Sequence, residues 1–248
     1  MFPLSCPVCK HDSLEYDDRS VHCTNCTVYS KKLPLYKRPL AWALTKPGLW
    51  WRVVIVVWFV VMLFQNWANP EFALNRLANP FSAVDFGIHE LGHFLFIPFG
   101  EFGEFMTIAG GSLFQCIFPL LWIAGLLQIR YYFGAVLCLC WLGLNLFDVA
   151  TYVADANVRL LSLAGPGSLL SDGSEEAYDA GHDWYQLLSR TGHLDADQTI
   201  AGFLRVVGSA IYILGLILAV TIIVYIVIGR RRRAAATELE ATQKDTAG

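Results

Sequence analysis

Residues 49–67 read LWWRVVIVVWFVVMLFQNW, a run in which Arg52 is the one charged residue and Gln65 and Asn66 stand near the end. A helix of about 20 apolar residues spans the hydrocarbon core of a bilayer, so this stretch predicts a membrane-spanning helix. Charged residues make up 16 % of the 248-residue chain, where about a quarter is usual in soluble domains. The chain is therefore expected to be an integral membrane protein, and disorder over most of its length is excluded.

Four further apolar blocks follow the first one, at residues 81–99, 106–129, 131–154 and 210–229. Three of them are long enough to cross a bilayer, whereas the block at 81–99 is marginal and carries several ionisable residues. That block is predicted to be either a full span or a re-entrant, half-buried segment. The expected fold class is thus an α-helical integral membrane protein with four or five apolar helices and a polytopic membrane domain over residues 49–229.

The distribution of charge predicts an orientation. Residues 1–52 contain eight Lys and Arg, and four arginines occupy residues 230–233, so the positive-inside rule places both termini in the cytoplasm. This orientation needs an even number of crossings, so the block at 81–99 would then be re-entrant or half-buried; if all five blocks cross, the N-terminus lies outside, against its own charge. The segment 155–198 holds eight acids and two arginines, and we expect this acidic loop on the opposite side. Residues 230–248 are predicted to be a basic anchor followed by a disordered polar tail. With a net charge of −3 and few basic residues, no nucleic-acid partner is expected.

Two CxxC pairs lie near the N-terminus, at Cys6 and Cys9 and at Cys23 and Cys26. Two such turns offer four thiolates to one tetrahedral ion, which is typical of a structural Zn²⁺ site. Disulfides or a redox pair are the alternatives, and a reducing cytoplasmic face disfavours them. We therefore predict a zinc ribbon over residues 1–30, which a basic linker (31–48) joins to the membrane domain. The ribbon resembles the small zinc ribbons that bind partners in many proteins, and its expected partner is a cytoplasmic protein.

A second candidate metal site lies inside the block at 81–99, where residues 89–93 read HELGH. On a helix, His89 and His93 share one face and can present two imidazoles to one ion. Glu90 stands beside them and can take a proton from a metal-activated water. Ionisable groups are costly within a bilayer segment, so three together indicate a metal site, or else a polar patch at a water-filled groove or a helix that sits at the membrane interface.

A catalytic zinc usually has three protein ligands. Asn145, Asp148, Tyr152 and Asp155 form one polar stripe along the helix predicted at 131–154, and such a stripe must face the interior of the bundle. Asp148, the deeper acid, is the predicted third ligand. Asp155 and His182 are the alternatives, with Asp183 as a partner that would orient the His182 ring.

Other polar and small residues near this site are predicted to support it. Asp85 either accepts the free N–H of His89 and so fixes its tautomer, or is an acid at a helix start near the membrane edge. Gly92 allows a neighbouring helix to approach closely. Gly110 and Gly111, with Gln115, are candidates for a helix break that exposes backbone groups to a substrate, or for a loosely formed helix start.

An HExxH motif in an apolar segment, followed by an Asp in a later one, resembles the site-2 protease class of intramembrane zinc metalloproteases. The likeness covers roughly residues 81–155, and the stretch Asn145-Leu-Phe-Asp148 makes the chain a divergent relative. It implies a three-helix core, zinc held by His89, His93 and Asp148, and Glu90 as the residue that activates water.

The resemblance implies a membrane-embedded peptidase with one catalytic and one structural Zn²⁺, acting on a membrane-protein substrate within the lipid bilayer. Two alternatives stay open at this point. One is a non-proteolytic zinc-binding membrane protein whose ribbon recruits a partner. The other is a metal-dependent hydrolase of a lipid or small molecule with the same water chemistry.

Overall fold

A computed structural model describes residues 2–3, 5–17, 19–69, 79–98, 103–161 and 181–247. The elements in chain order are three short strands and seven α-helices within these residues: β1 (Leu14–Tyr16), β2 (Ser20–Cys23), β3 (Ser30–Lys32), α1 (Arg38–Thr45), α2 (Leu49–Ala68), α3 (Ser82–Phe96), α4 (Gly103–Gln128), α5 (Tyr132–Ala154), α6 (Asp183–Thr191) and α7 (Asp197–Ala247). The chain divides into two compact units. One contains residues 1–58, 129–133 and 217–248, and the other contains residues 59–128 and 134–216.

The first unit contains an antiparallel three-stranded sheet in the order β1-β2-β3. The turn between β1 and β2 is closed by Asp17, whose Oδ1 accepts hydrogen bonds from the backbone N–H groups of Arg19 and Ser20. In β2, Val21 and Cys23 are buried while their neighbours are half-buried, as the alternation of side chains along a strand requires.

The sheet shares a hydrophobic core with the helices of its unit. Its buried members and the two α7 residues packed on them are Phe2, Val21, Leu33, Ala41, Leu44, Tyr225 and Ile228. The stretch 31–48, predicted to be a linker, is therefore ordered: it includes most of β3 and all of α1. Burial of Leu33, Ala41 and Leu44 in the core that also contacts α7 stabilises this stretch.

Four helices are long and apolar enough to cross a membrane among the residues that the structure describes: α2, α4, α5 and the part of α7 within 194–238. With 15 residues, α3 is shorter than the length that a span needs. The placement of both termini in the cytoplasm stays a prediction. Helix α7 continues to Ala247, so the stretch predicted to be a disordered tail is helical.

The second unit brings α3 and α4 into close contact. A Cβ added at Gly110 would lie 2.9 Å from the carbonyl oxygen of Gly92, so both helices need glycine where they cross. Helix α4 runs without interruption through Gly110 and Gly111, and the predicted helix break is absent. The two glycines create space beside α3 instead of exposing backbone groups.

Helix α6 is held against the second unit by apolar contacts. Leu188 is buried in a cluster with Val149 and Val153 of α5 and Ala201 of α7. The helix ends at Gly192, whose left-handed backbone (φ 70°) lets its N–H bond the carbonyls of Leu188 and Ser189. This packing fixes the first residue of α6, Asp183, beside α3.

Candidate metal centres

The two histidines of HELGH lie one turn apart on α3, with ring centroids 4.8 Å apart. Their Nε2 atoms point to the same carboxylate oxygen: Oδ2 of Asp183 lies 2.9 Å from Nε2 of His89 and 3.4 Å from Nε2 of His93. All three side chains are largely buried. His89, His93 and Asp183 thus form one group whose donor atoms could hold a metal ion.

The spacing of these donor atoms suits zinc. Tetrahedral Zn²⁺ with bonds of about 2.0–2.1 Å to nitrogen and oxygen separates its ligand atoms by about 3.3 Å. The Asp183 oxygen lies within a few tenths of an ångström of that separation from both imidazole nitrogens. Two imidazoles and one carboxylate are also a ligand set of catalytic zinc sites, where a fourth position is left for water.

The other ring nitrogens are already engaged. Nδ1 of His93 lies 2.8 Å from the carbonyl oxygen of Thr107, and Nδ1 of His89 lies 3.2 Å from Oε1 of Gln115. Oxygen atoms of this kind only accept, so each Nδ1 donates. A neutral ring then presents a lone pair at Nε2, and three acceptor atoms converge on one point. Such a cluster needs a cation, either protons on the rings or a metal ion.

Gly111 of α4 forms the wall of this site. A Cβ added there would lie 2.6 Å from Nε2 of His89 and 2.7 Å from Nε2 of His93. A glycine is therefore required where α4 passes the two Nε2 atoms, because any side chain would occupy the space in front of them.

Asp183 is positioned by the start of α6. His182 caps the helix, with its Nδ1 accepting from the N–H of Tyr185 at 3.2 Å. The Asp183 N–H donates to the Tyr152 hydroxyl at 3.0 Å, and Trp184 donates through Nε1 to Ser112 Oγ at 3.0 Å. These bonds tie α6 to both α4 and α5, so Asp183 is held at the site from several directions.

Burial alone would raise the pKa of Asp183, but when His89 and His93 are protonated their hydrogen bonds and charge outweigh it, so the pKa lies below its usual value. Asp183 is therefore a carboxylate at neutral pH, which is the form that binds a metal ion.

The structure does not bring Asp148 into this group, in contrast to the prediction of a third ligand on α5. Oδ2 of Asp148 accepts a short hydrogen bond from Nε2 of Gln115, and its buried Oδ1 has no hydrogen-bond partner among the described residues. Asn145, on the same stripe, donates through Nδ2 to the backbone carbonyl of Gln115 at 2.5 Å. The stripe does face the interior of the unit, as predicted, but it contacts α4.

The remaining predicted residues also have different partners. Asp85 is buried and accepts from Nε1 of Trp141 at 2.7 Å, while the Nδ1 of His89 that it was expected to bind faces Gln115. Asp155 binds Nε2 of the fully buried His182 at 3.2 Å and accepts from the N–H of Leu160 at 2.8 Å. Asp155 and His182 therefore bind each other, and neither belongs to the group that His89, His93 and Asp183 form.

Sequence reasoning considered His182 and treated its neighbour Asp183 only as a partner for that ring. A usable signal was present, because Asp183 stands four residues before Leu187, on the face of α6 that is buried. An acid at the start of the buried face of an amphipathic helix needs an internal partner.

Glu90 adjoins His89 on α3 and is half-buried. Its charge acts on both His93 and Tyr152, so its carboxylate lies within electrostatic range of the site. It is not among the three residues that converge, which leaves it available for proton transfer.

The four N-terminal cysteines also converge, in the first unit. Sγ of Cys6 lies 3.8 Å from Sγ of Cys26, and Sγ of Cys9 lies 3.6 Å from Sγ of Cys23. A Zn–S bond of about 2.3 Å in a tetrahedron separates sulfurs by about 3.8 Å. All four are free thiols, and the cluster could form a zinc site as the CxxC spacing predicted.

The two CxxC turns have the same local structure. In each, the backbone continues through a left-handed residue directly after the second cysteine, Lys10 (φ 65°) and Thr27 (φ 54°). The pKa of Cys9 is lowered to about 5, chiefly by a backbone hydrogen bond, whereas burial raises that of Cys6 to about 11. A positive ion is needed to hold both as thiolates at neutral pH.

No protein-family model, curated protein or solved structure matches this chain, so its two candidate metal centres are defined by their own geometry.

Proposed function

We propose that this chain is a membrane-embedded zinc peptidase, similar to the site-2 protease class, in which His89, His93 and Asp183 hold the metal and Glu90 is the general base. The observation that carries the proposal is the convergence of two imidazole Nε2 atoms and one carboxylate oxygen, with both Nδ1 atoms held as donors. Asp183 replaces Asp148 as the proposed third ligand.

The donor set fits Zn²⁺ in charge, in ligand type and in spacing. When bound, zinc lowers the pKa of a coordinated water towards 7 and polarises the scissile carbonyl as a Lewis acid. The contribution of the protein is to hold three ligand atoms in place, and a catalytic zinc site with three protein ligands keeps its fourth position for water.

Glu90 would accept the proton that the attacking water loses and return it to the nitrogen of the leaving amine. A half-buried carboxylate next to one of the ligands, and not itself converging with them, suits this role. The two helices beside the site, α4 and α5, are both candidate membrane spans. A peptide bond in a membrane protein is therefore the proposed substrate, and the substrate helix must unwind locally to expose its carbonyl.

Zinc content tests the metal assignment. Purified wild-type protein in detergent is expected to contain two zinc ions per chain, falling to one in His93→Ala and to one in Cys23→Ser. Because the histidines and the cysteines lie in different units, each substitution should leave the other ion bound. A wild type that holds one ion, and loses it completely in Cys23→Ser, would refute the membrane site.

Glu90→Gln tests the activity. This substitution keeps the shape of the side chain and should keep both zinc ions, yet remove cleavage, because an amide does not accept the proton. New protein N-termini in membranes of cells expressing wild type would be compared with those in cells expressing the variant. Equal peptide products from both would refute Glu90 as the base, and full zinc with unchanged function would favour the non-proteolytic alternative.

A further inference from the structure

A chain of hydrogen bonds leads from α5 through α4 to the first histidine of the proposed site. Asp148 accepts from Nε2 of Gln115, and Oε1 of the same amide lies 3.2 Å from Nδ1 of His89. Gln115 is 2 % exposed, so water does not compete for its amide. Asn145 binds the backbone carbonyl of Gln115 and fixes the position of that residue on α4 relative to α5.

The hydrogen bonds in this series can run in only one direction, from donor to acceptor. A glutamine amide has a donor end and an acceptor end, and by itself it fits a site in either of two orientations. A carboxylate only accepts, so Asp148 requires the NH₂ end and turns the carbonyl oxygen towards His89. That oxygen in turn accepts, so the proton of a neutral His89 ring must be on Nδ1, and Nε2 is left with a lone pair towards Asp183.

His93 has its ring proton on Nδ1 as well, but a backbone group alone fixes it there. Its Nδ1 faces the backbone carbonyl of Thr107, which has no alternative orientation. The tautomer of His89 thus depends on the side chain of Gln115, and a substitution of Asp148, two hydrogen bonds away, can change it.

We infer that Asp148 is a positioning residue: acting through Gln115, it sets the tautomer and orientation of His89 for metal binding, without binding the metal itself. The inference rests on the proposed function only in its assignment of His89 as a ligand. It also explains why a buried acid on α5 occurs beside the site although another acid converges with the histidines. Outer hydrogen-bond partners of this kind typically change metal affinity about 10–100-fold.

Zinc affinity of the full-length protein, measured in detergent against a competing chelator, tests the inference. Asp148→Asn allows the Gln115 amide to turn over, and the affinity of the histidine site should fall about 10–100-fold. Asp85→Asn is the matched control, because it neutralises another buried acid of the same unit that binds Trp141 instead. Its affinity should stay within about twofold of wild type.

A double variant, Gln115→Glu with Asp148→Asn, distinguishes positioning from ligation. The new carboxylate accepts from Nδ1 of His89 with one oxygen and from the new amide with the other, so the direction of the chain is restored. Zinc affinity should return to within a few fold of wild type. If Asp148→Asn alone does not fold, the zinc affinity of the double variant compared with that of wild type still decides whether Asp148 positions His89 or binds the metal.

Two results would overturn the inference and leave the proposed site intact. One is wild-type affinity in Asp148→Asn. The other is a loss in the double variant as large as in Asp148→Asn, which would mean that Asp148 is itself a ligand or fills space. A wild type with zinc at the cysteines alone would instead remove the proposed site and the inference together.

Discussion

Gly111→Ala is the sharpest steric test of the histidine site. The added methyl group would lie 2.6 Å from Nε2 of His89 and 2.7 Å from Nε2 of His93. Carbon and nitrogen atoms that are not bonded prefer about 3.5–4.0 Å, so the rings or α4 must move by about 1 Å. Metal sites tolerate deviations of about 0.2 Å in their bonds. A displacement several times larger should lower zinc affinity by at least about 100-fold.

The same substitution at Gly125 is the matched control, because it lies in α4 and an added Cβ there has no neighbour within 4 Å. Removing a glycine from a helix interior stabilises it by about 0.5–1 kcal/mol. Gly125→Ala should therefore keep both zinc ions and unfold at the same temperature as wild type or slightly higher, whereas overpacking at Gly111 costs about 1–3 kcal/mol.

The assay for both variants is zinc content per purified chain, followed by titration with a competing chelator, with thermal unfolding recorded in the same detergent. Gly111→Ala should retain the ion of the cysteine cluster and lose the other. If Gly111→Ala keeps two zinc ions at wild-type affinity, then no metal is bound between the two imidazoles and α4, and the reasoning fails.

Three further predictions follow from the contacts of α6 and of the cysteine cluster. Asp183→Ala should lower zinc affinity at the histidines by at least tenfold, whereas Asp195→Ala, at an exposed acid between α6 and α7, should leave it unchanged. Equal affinities in the two variants would exclude Asp183 as a ligand. Cys23→Ser should release one zinc and destabilise the sheet while the histidine site keeps its own, as checked by metal content and near-ultraviolet circular dichroism. Arg190→Ala breaks the ion pair to Glu104 (2.8 Å). Because this pair is partly exposed and contributes about 0–1 kcal/mol, zinc content should stay the same. A loss of zinc in this variant would mean that α6 is held mainly by that pair.

Patterns local in sequence were sufficient for part of this structure. Apolar runs at 49–67 and 131–154 correspond to α2 (Leu49–Ala68) and α5 (Tyr132–Ala154) within one residue at either end. The CxxC pairs were found because each turn brings its own two thiols together. The HELGH histidines were found because one helical turn separates them.

The residues that sequence reasoning misplaced depend on contacts between elements. Asp183 reaches His89 across 94 positions of the chain, and no periodicity within either segment encodes that distance. Asp148 was expected to bind a metal because its stripe had to face inwards, but the partner that it meets is Gln115, which α4 supplies. Gly110 and Gly111 were predicted to break α4, but they make room for the neighbouring side chains of α3. The sequence of α4 alone does not reveal which neighbours it has.

The separation between His93 and Asp183 also has a consequence for biosynthesis. A ribosome adds about 5–20 residues per second, so roughly 5–20 seconds pass between completion of the histidine pair and arrival of the acid that joins it. Throughout that interval His89 and His93 would have an incomplete ligand set. A metal centre assembled in this order would lack its third ligand until α6 has been synthesised.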